Sequence, residues 1–263
     1  MKGHLPPEEY RELWDAKPGL RAVYTDYYRR IRGWCRPGPT VEVGAGAGTL
    51  GEELTDAIAT DIAPSPWVDA VADAQALPFA DASLTNVIGV DVLHHVEFPR
   101  RFLLEAARVL SPGGRVVVVE PAITPLSWVA FKLAHPEPVD LSADPLENGT
   151  PDPGRHPFDS NQAVPTLLAG RHRDRMRTVI PTLQLACRQR LSLFAYPLSG
   201  GFQPWSLLPR GLADRLLRVE RVVEPALAPL MGFRLLLVLV KSPVAPQPAS
   251  AASAASRAER WSR

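Results

Sequence analysis

Two adjacent histidines, His94-His95, and a glutamate, Glu120, that closes a run of four valines are the residues best suited to moving a proton. Imidazole ordinarily titrates near neutrality, so a histidine can take a proton from a hydroxyl; His135 and His156 are further candidates. The alternatives are structural: the histidine pair supporting a turn, Glu120 capping a helix or closing a loop ion pair. A second group is suited to holding a ligand. Thr40-Val41-Glu42-Val43 runs into Gly44-Ala45-Gly46-Ala47-Gly48-Thr49-Leu50-Gly51, which reads as a strand, a tight turn and a helix start. Glycines without Cβ let a bound molecule approach the backbone, and the N–H groups of a helix start offer donors. Asp61 follows at close to the ~20-residue spacing at which an acid meets ribose hydroxyls, or else begins a turn before Ile62-Ala63-Pro64. The loop itself leaves two frames open: Gly44-x-Gly46-x-Gly48 fits a nucleoside-methionine ligand, and Gly46-x-Gly48-x-x-Gly51 fits a dinucleotide.

These residues need a scaffold that brings them to one edge. Residues 8–34 carry Tyr10, Leu13, Trp14, Leu20, Val23, Tyr24, Tyr27, Tyr28, Ile31 and Trp34 at helical spacing, so N-terminal helices are expected over 8–37. After the first strand come a helix at about 50–57 and a second strand at 58–61. Residues 68–79 and 83–91 read as third and fourth strands. A helix at 102–110 is stopped by Ser111-Pro112-Gly113-Gly114, and the apolar run 115–121 is a fifth strand buried on both faces. This alternation implies a doubly wound, parallel α/β sheet, whose ligand edge is the carboxyl end of its strands. Residues 122–187 break the rhythm with closely spaced prolines and read as a cap inserted over the site. A sixth strand at 190–196, a helix at about 212–223 and a seventh strand at 233–240 complete a single domain over 1–241. The Pro/Ala/Ser-rich residues 242–263 are expected to be disordered.

With 263 residues, 46% of them hydrophobic, and a formal charge of +1, the chain can build one large core and has no excess positive charge for nucleic acid. The basic run from Arg171 to Arg177 contains Asp174 and reads as a solvated face. Cys35 and Cys187 lack metal-site or disulfide-framework spacing, and no metal is expected. Neither a secretory leader nor a membrane-spanning run is present, so a cytoplasmic protein without an integral membrane segment is expected, its Asn148-Gly149-Thr150 sequon carrying no glycan.

The succession Glu42-x-Gly44-x-Gly46-x-Gly48, Asp61, Asp73-Ala74 with Leu77-Pro78-Phe79, Leu93-His94-His95-Val96, Leu110-Ser111-Pro112-Gly113-Gly114 and Glu120-Pro121 resembles the class I S-adenosylmethionine-dependent methyltransferases. It looks most like their small-molecule branch, which includes the ubiquinone and menaquinone methylases. The resemblance covers about residues 38–121 and selects the first glycine frame. It implies a seven-stranded sheet in the order 3-2-1-4-5-7-6 with the last strand antiparallel, and S-adenosyl-L-methionine as cofactor. It implies that Gly44, Ala45 and Gly46 line the methionine and ribose, that Glu42 lies near the methionine amino group, and that Asp61 holds the ribose hydroxyls. It further implies that Ile62 packs on the adenine, that Asp73 and the Ala74 N–H meet its edge, and that Asp91 lies beside the methionine. Leu84-Thr85 departs from the family's frequent Phe-Asp and removes one acid. Methyl transfer to a small apolar or aromatic acceptor, at oxygen or carbon, follows, with His95, His94 and Glu120 as catalytic candidates and the aromatics Trp128, Phe131, Phe158, Tyr196, Phe202 and Trp205 around the acceptor. A protein that holds the cofactor without catalysis and a nicotinamide oxidoreductase are the alternatives.

Overall fold

Five residues of β5 show how the architecture arises. In this strand, Leu110–Pro121, Val116 and Val118 point into one core while Val117 and Val119 point into the other, and Glu120 is fully buried at its carboxyl end. A strand with apolar residues at consecutive positions must be covered on both faces, because neighbouring side chains leave opposite sides of the sheet. β7, Arg234–Lys241, does the same: Leu235, Leu237 and Leu239 face the first core, and Leu236 and Val238 the second.

The computed structural model describes residues 5–243. Besides β5 and β7, the sheet contains β1 (Thr40–Val43), β2 (Ala57–Asp61), β3 (Ala70–Val71), β4 (Leu84–Val90) and β6 (Leu183–Leu191). The strand order is β3-β2-β1-β4-β5-β7-β6, as the resemblance implies. β1 pairs in parallel with β2 and β4, with Val41 opposite both Ile58 and Val87, and β7 runs antiparallel to β5 and β6. The first core lies under α3 (Pro99–Val109), α5 (Val164–Ala169) and α6 (Arg173–Val179). The second lies under α1 (Pro7–Ala16), α2 (Pro18–Trp34), α7 (Ala195–Ser199) and α8 (Arg210–Met231). α4, Pro125–Ala134, starts with a capping box between Thr124 and Ser127 and packs Phe131 against Phe233 in a third, smaller cluster. Among the described residues no helix is long and apolar enough to cross a membrane.

Several element boundaries differ from the sequence expectation. The helix expected at 50–57 is a single 3-10 turn, Leu50–Glu52, because the connection from Val43 to Ala57 is short and holds Gly48 and Gly51. The third strand shrinks to Ala70–Val71, an edge strand bonded to β2 alone. The sixth strand ends at Leu191 rather than 196: Ser192 turns with φ of 61° and α7 follows. Its alternation of Leu183 and Leu185 with Gln184 and Arg188 is that of an edge strand, a weaker signal than the apolar run after it. α8 extends past 223 to Met231, through Pro225 and Pro229. Residues 122–187 hold three helices as well as loops, and their last residues belong to β6. The tail expected to be disordered lies, from residue 244 onward, outside the described residues.

Ion pairs on buried carboxylates bind α2 to α8. Asp26 of α2 accepts from Arg30 at 2.7 Å and from Arg221 of α8, and Arg30 reaches Glu224 at 3.0 Å. One turn earlier on α8, buried Glu220 accepts from the N–H groups of Phe194 and Ala195, both at 2.5 Å, and of Leu193 at 3.3 Å. That carboxylate holds the turn between β6 and α7, where the backbone has no ladder partner. Glu220→Ala leaves these donors buried without an acceptor and is expected to lower unfolding stability by about 2–4 kcal/mol. Urea unfolding of the variant checks this, and a midpoint equal to that of the parent protein would show that the turn holds itself.

Candidate functional site

At the carboxyl ends of β1, β2 and β4 the sheet opens into a cavity of about 700 Å³. Its floor is the glycine loop after β1, where Gly44, Gly46 and Gly48 adopt φ of 69°, 52° and 67°. A Cβ on Gly44 would lie 2.8 Å from the Val92 side chain, so this glycine permits the close approach of the turn after β4. A Cβ on Gly46 would meet no atom within 4 Å, and its space opens toward the cavity. The N–H donors expected from this loop are largely committed to the protein: Ala45 donates to the Thr60 carbonyl at 3.0 Å, Gly46 to Asp61 Oδ2 at 2.8 Å and Gly48 to the Ala45 carbonyl at 2.8 Å. The missing helix explains this, since a tight loop satisfies its amides by folding on itself.

Asp61, at the end of β2, accepts from Gly46 through one oxygen and from the Ala63 N–H at 2.9 Å through the other, and it lines the cavity. Ionised carboxylate oxygens have capacity for further donors. Ile62 beside it is 49% exposed at the cavity wall, an apolar surface that a planar ring could cover. Asp73 and Ala74 line the same end, with Asp73 fixed by the Gln75 N–H at 2.8 Å. Glu42 is buried; desolvation, reinforced by the nearby charge of Asp61, pushes its carboxyl up to about 8.

The turn after β4 brings the other candidates in. Asp91 takes φ of 59°, accepts from the Tyr24 hydroxyl at 2.9 Å and ion-pairs with Arg234. Arg234 is buried, and its guanidinium lies 4.1 Å from the centre of the Tyr196 ring. His94 donates from Nδ1 to Glu120 at 2.7 Å, and its Nε2 lies 3.4 Å from Glu137. Burial alone would hold this imidazole neutral; its hydrogen bonds to Glu120 and Glu137 outweigh that and push it up to about 9. The His95 ring lies 4.1 Å from the His94 ring and donates from Nδ1 to the Phe158 carbonyl at 3.1 Å. Burial, and then the neighbouring His94, push it down to about 4.

Both histidines line the cavity, whereas Glu120 stands behind them, with no exposed surface. It accepts from the Val92 and Leu93 N–H groups at 2.9 and 2.8 Å as well as from His94. Glu120, a catalytic candidate in the sequence, therefore has no surface on the cavity and reaches it only through His94. His135 and His156 also line the cavity. The sequence reading missed Glu137, Arg234, Tyr24 and Lys17. Glu137 is an acid held between Pro136 and Pro138 in the insertion, and Arg234 is a lone charge at the mouth of an apolar strand; both were visible signals. Lys17 donates to the Gln203 carbonyl at 2.7 Å and so pins the loop that presents Phe202, whose ring packs on Tyr10 at 5.0 Å and Tyr24 at 5.4 Å. Phe131, Phe158, Tyr196, Phe202 and Trp205 all line the cavity, while Trp128 of α4 is not part of its wall.

Comparison with known proteins agrees with this geometry. Residues 41–118 match the model of a methyltransferase domain family. Over 99 residues the chain is 39% identical to a demethylmenaquinone methyltransferase of Renibacterium salmoninarum, covering 32% of this chain and 42% of that protein. Over 65 residues it is 38% identical to an uncharacterised 37.1 kDa transposon protein of Streptomyces fradiae, covering 25% of this chain and 17% of that one. The match thus spans less than half the length of these curated relatives. A Thermotoga maritima structure described as an S-adenosylmethionine-dependent methyltransferase, possible histamine N-methyltransferase, superposes with a TM-score of 0.53 at 18% identity, over 88% of this chain and 94% of that one. At that identity the likeness is one of fold.

The raised Glu42 carboxyl makes a stability prediction. A buried acid whose folded pKa lies above its unfolded value costs nothing below about 4.5, and destabilises progressively as pH rises toward about 8. Glu42→Gln removes that cost. Its melting temperature is expected to exceed that of the parent protein by a margin that widens between pH 5 and 8 and is then constant, reaching several degrees. A margin independent of pH would show that Glu42 is not the titrating group.

Proposed function

We propose, from the premise that the chain is a class I S-adenosylmethionine-dependent methyltransferase in its fold and over its domain at residues 41–118, that it moves a methyl group from S-adenosyl-L-methionine to a small apolar or aromatic acceptor. The observation that carries this reading is the division of one cavity into two chemistries. The glycine-loop backbone, Glu42, Asp61, Ile62 and Asp73 line the same cavity as Phe131, Phe158, Tyr196, Phe202 and Trp205, and in this reading the first set takes the cofactor and the second the acceptor.

The cofactor end fits the group. The space above Gly46 is open to a ligand, two carboxylates stand at the ends of neighbouring strands, and an exposed apolar side chain lies between them. Asp61 would receive the ribose hydroxyls, Asp73 and the Ala74 N–H the adenine edge, Ile62 its face, and Glu42 and Asp91 would flank the methionine. When bound, S-adenosylmethionine supplies an already activated methyl group on a sulfonium. The protein's task is then alignment and exclusion of water, and reacting atoms held in line can account for much of the rate. α4, the segment around Glu137 and Phe158, and the loop held by Lys17 surround the acceptor end and perform both functions. The residues at 122–187 act in this reading as the acceptor cap. Of the two histidines at the wall, His95 is the one held neutral and able to take a proton from an acceptor oxygen, while His94, facing Glu120 and Glu137 through its two ring nitrogens, already holds its proton and would act beside it, oriented by Glu120.

Titration calorimetry with S-adenosylhomocysteine tests the cofactor half. Asp61→Ala is expected to weaken binding by at least about tenfold, since each charge-assisted hydrogen bond contributes about 1.5–3 kcal/mol; NADH is expected not to bind. An unchanged dissociation constant in the variant would remove the ribose assignment. For the acceptor half, labelled cofactor and a cell extract identify what gains the methyl group, detected by mass spectrometry, and an absence of any methylated product would favour a protein that holds the cofactor without catalysis. Trp205 is 50% exposed at the cavity, so Trp205→Ala has little folding cost. It is expected to raise KM for that acceptor several-fold with S-adenosylhomocysteine affinity unchanged, and equal loss of both would place Trp205 outside the acceptor site.

A further inference from the structure

We propose that His94, His95 and Glu137 form a binding site for one divalent transition-metal ion on the wall of the cavity. Donor atoms from the three side chains lie within 4.8 Å of one another, and His94 Nε2 and Glu137 Oε2 are already 3.4 Å apart. Donors around a tetrahedral ion with bonds of about 2.0–2.1 Å are separated by about 3.3 Å. Side-chain shifts of about an ångström would therefore close the set around an ion.

What distinguishes this cluster from a chance gathering of polar groups is the layer behind it. Metal-binding histidines characteristically give their other ring N–H to a carboxylate or a backbone carbonyl, which fixes the tautomer and aims the remaining nitrogen. Both histidines here do so. His94 donates from Nδ1 to Glu120, a carboxylate with no solvent contact that is itself held by two backbone N–H groups. His95 donates from Nδ1 to the Phe158 carbonyl. Glu137 is oriented in turn by the Gln162 side-chain amide. Two imidazoles and one carboxylate suit Zn²⁺, Fe²⁺ or Co²⁺ rather than Mg²⁺ or Ca²⁺, which favour oxygen donors. Among the described residues three side chains offer ligands, and because all three line the cavity a further coordination position would face into it, toward an acceptor oxygen. Glu137 comes from the insertion and the histidines from the turn after β4, so an ion would also bind the cap to the sheet. The binding site stands on this geometry alone, whatever reaction the cavity supports.

The test is titration of the chelator-treated, full-length protein with ZnCl₂ by calorimetry and with CoCl₂ by visible spectroscopy. The expected result is one equivalent bound with micromolar or tighter affinity, and intense d–d bands from a Co²⁺ site of low coordination number. His95→Ala and Glu137→Gln should each weaken binding by at least about 10- to 100-fold, the loss typical of removing even an outer-layer partner. Both side chains are only partly buried, so these variants are expected to fold where His94→Ala could fail. The Cys35→Ser/Cys187→Ser double variant should bind as the parent does. The site is overturned if no equivalent binds, if Co²⁺ keeps its aqueous spectrum, or if the His95 and Glu137 variants bind with unchanged affinity.

Discussion

A single buried carboxylate sets the geometry of the active edge. Glu120 leaves the end of β5 with no solvent contact and takes the N–H groups of Val92 and Leu93 and the ring of His94 as its donors. A carboxylate in that environment is sustained by charge-assisted hydrogen bonds, and removing them would leave an uncompensated buried charge. The turn after β4 is therefore fixed at three consecutive residues. From it follow the left-handed backbone of Asp91, the packing of Val92 over Gly44, and the position of both histidines at the cavity wall. The glycine loop and the histidine pair, far apart in sequence, form one rigid unit because Val92 touches the former and His94 belongs to the latter.

The second organising contact crosses the sheet. Arg234, at the start of the antiparallel strand β7, is buried against Asp91, the Tyr24 hydroxyl and the face of Tyr196. It gathers α2, the turn after β4 and α7 around one cation. Arginine suits this position because its planar guanidinium can pair with a carboxylate and lie on an aromatic face together. The ion pairs of Asp26, Arg30, Arg221 and Glu224 repeat the arrangement further from the cavity, between α2 and α8. The N-terminal helices are in this way part of the cavity wall rather than an addition to the sheet: Tyr10, Tyr24 and Tyr28 all reach it.

The charged groups on the cavity wall are distinguished by the partners they already have. Asp61 and Asp73 stand on the wall beside the glycine loop, where burial holds Glu42 toward its neutral form, and Glu97, Glu137 and Asp152 also line the cavity. Of the basic groups there, Arg234 and His94 each face an acid, and Arg155 donates to the His95 and Asp159 carbonyls.

Read along the chain, the residues determine a good deal by themselves. The β-branched run into glycines, the apolar run through Val119 and the alternation of strand and helix dictate a doubly wound sheet, because local periodicity reports which faces must be buried. The acids at the strand ends, Asp61, Asp73 and Asp91, are legible for the same reason, since a strand end in such a sheet is by construction at the ligand edge. Tertiary structure alone decides the rest. Whether residues 50–57 form a helix depends on the distance to the next strand, and the end of the sixth strand depends on Glu220, contributed by a helix later in the chain. Glu120 reads as an acid at the active edge, and only the folded turn shows that its oxygens are consumed by backbone donors and His94. Glu137 and Arg234 meet the histidines and Asp91 through contacts between distant segments. Such contacts leave no periodic trace in the sequence, because neither partner's position constrains the residues adjacent to the other.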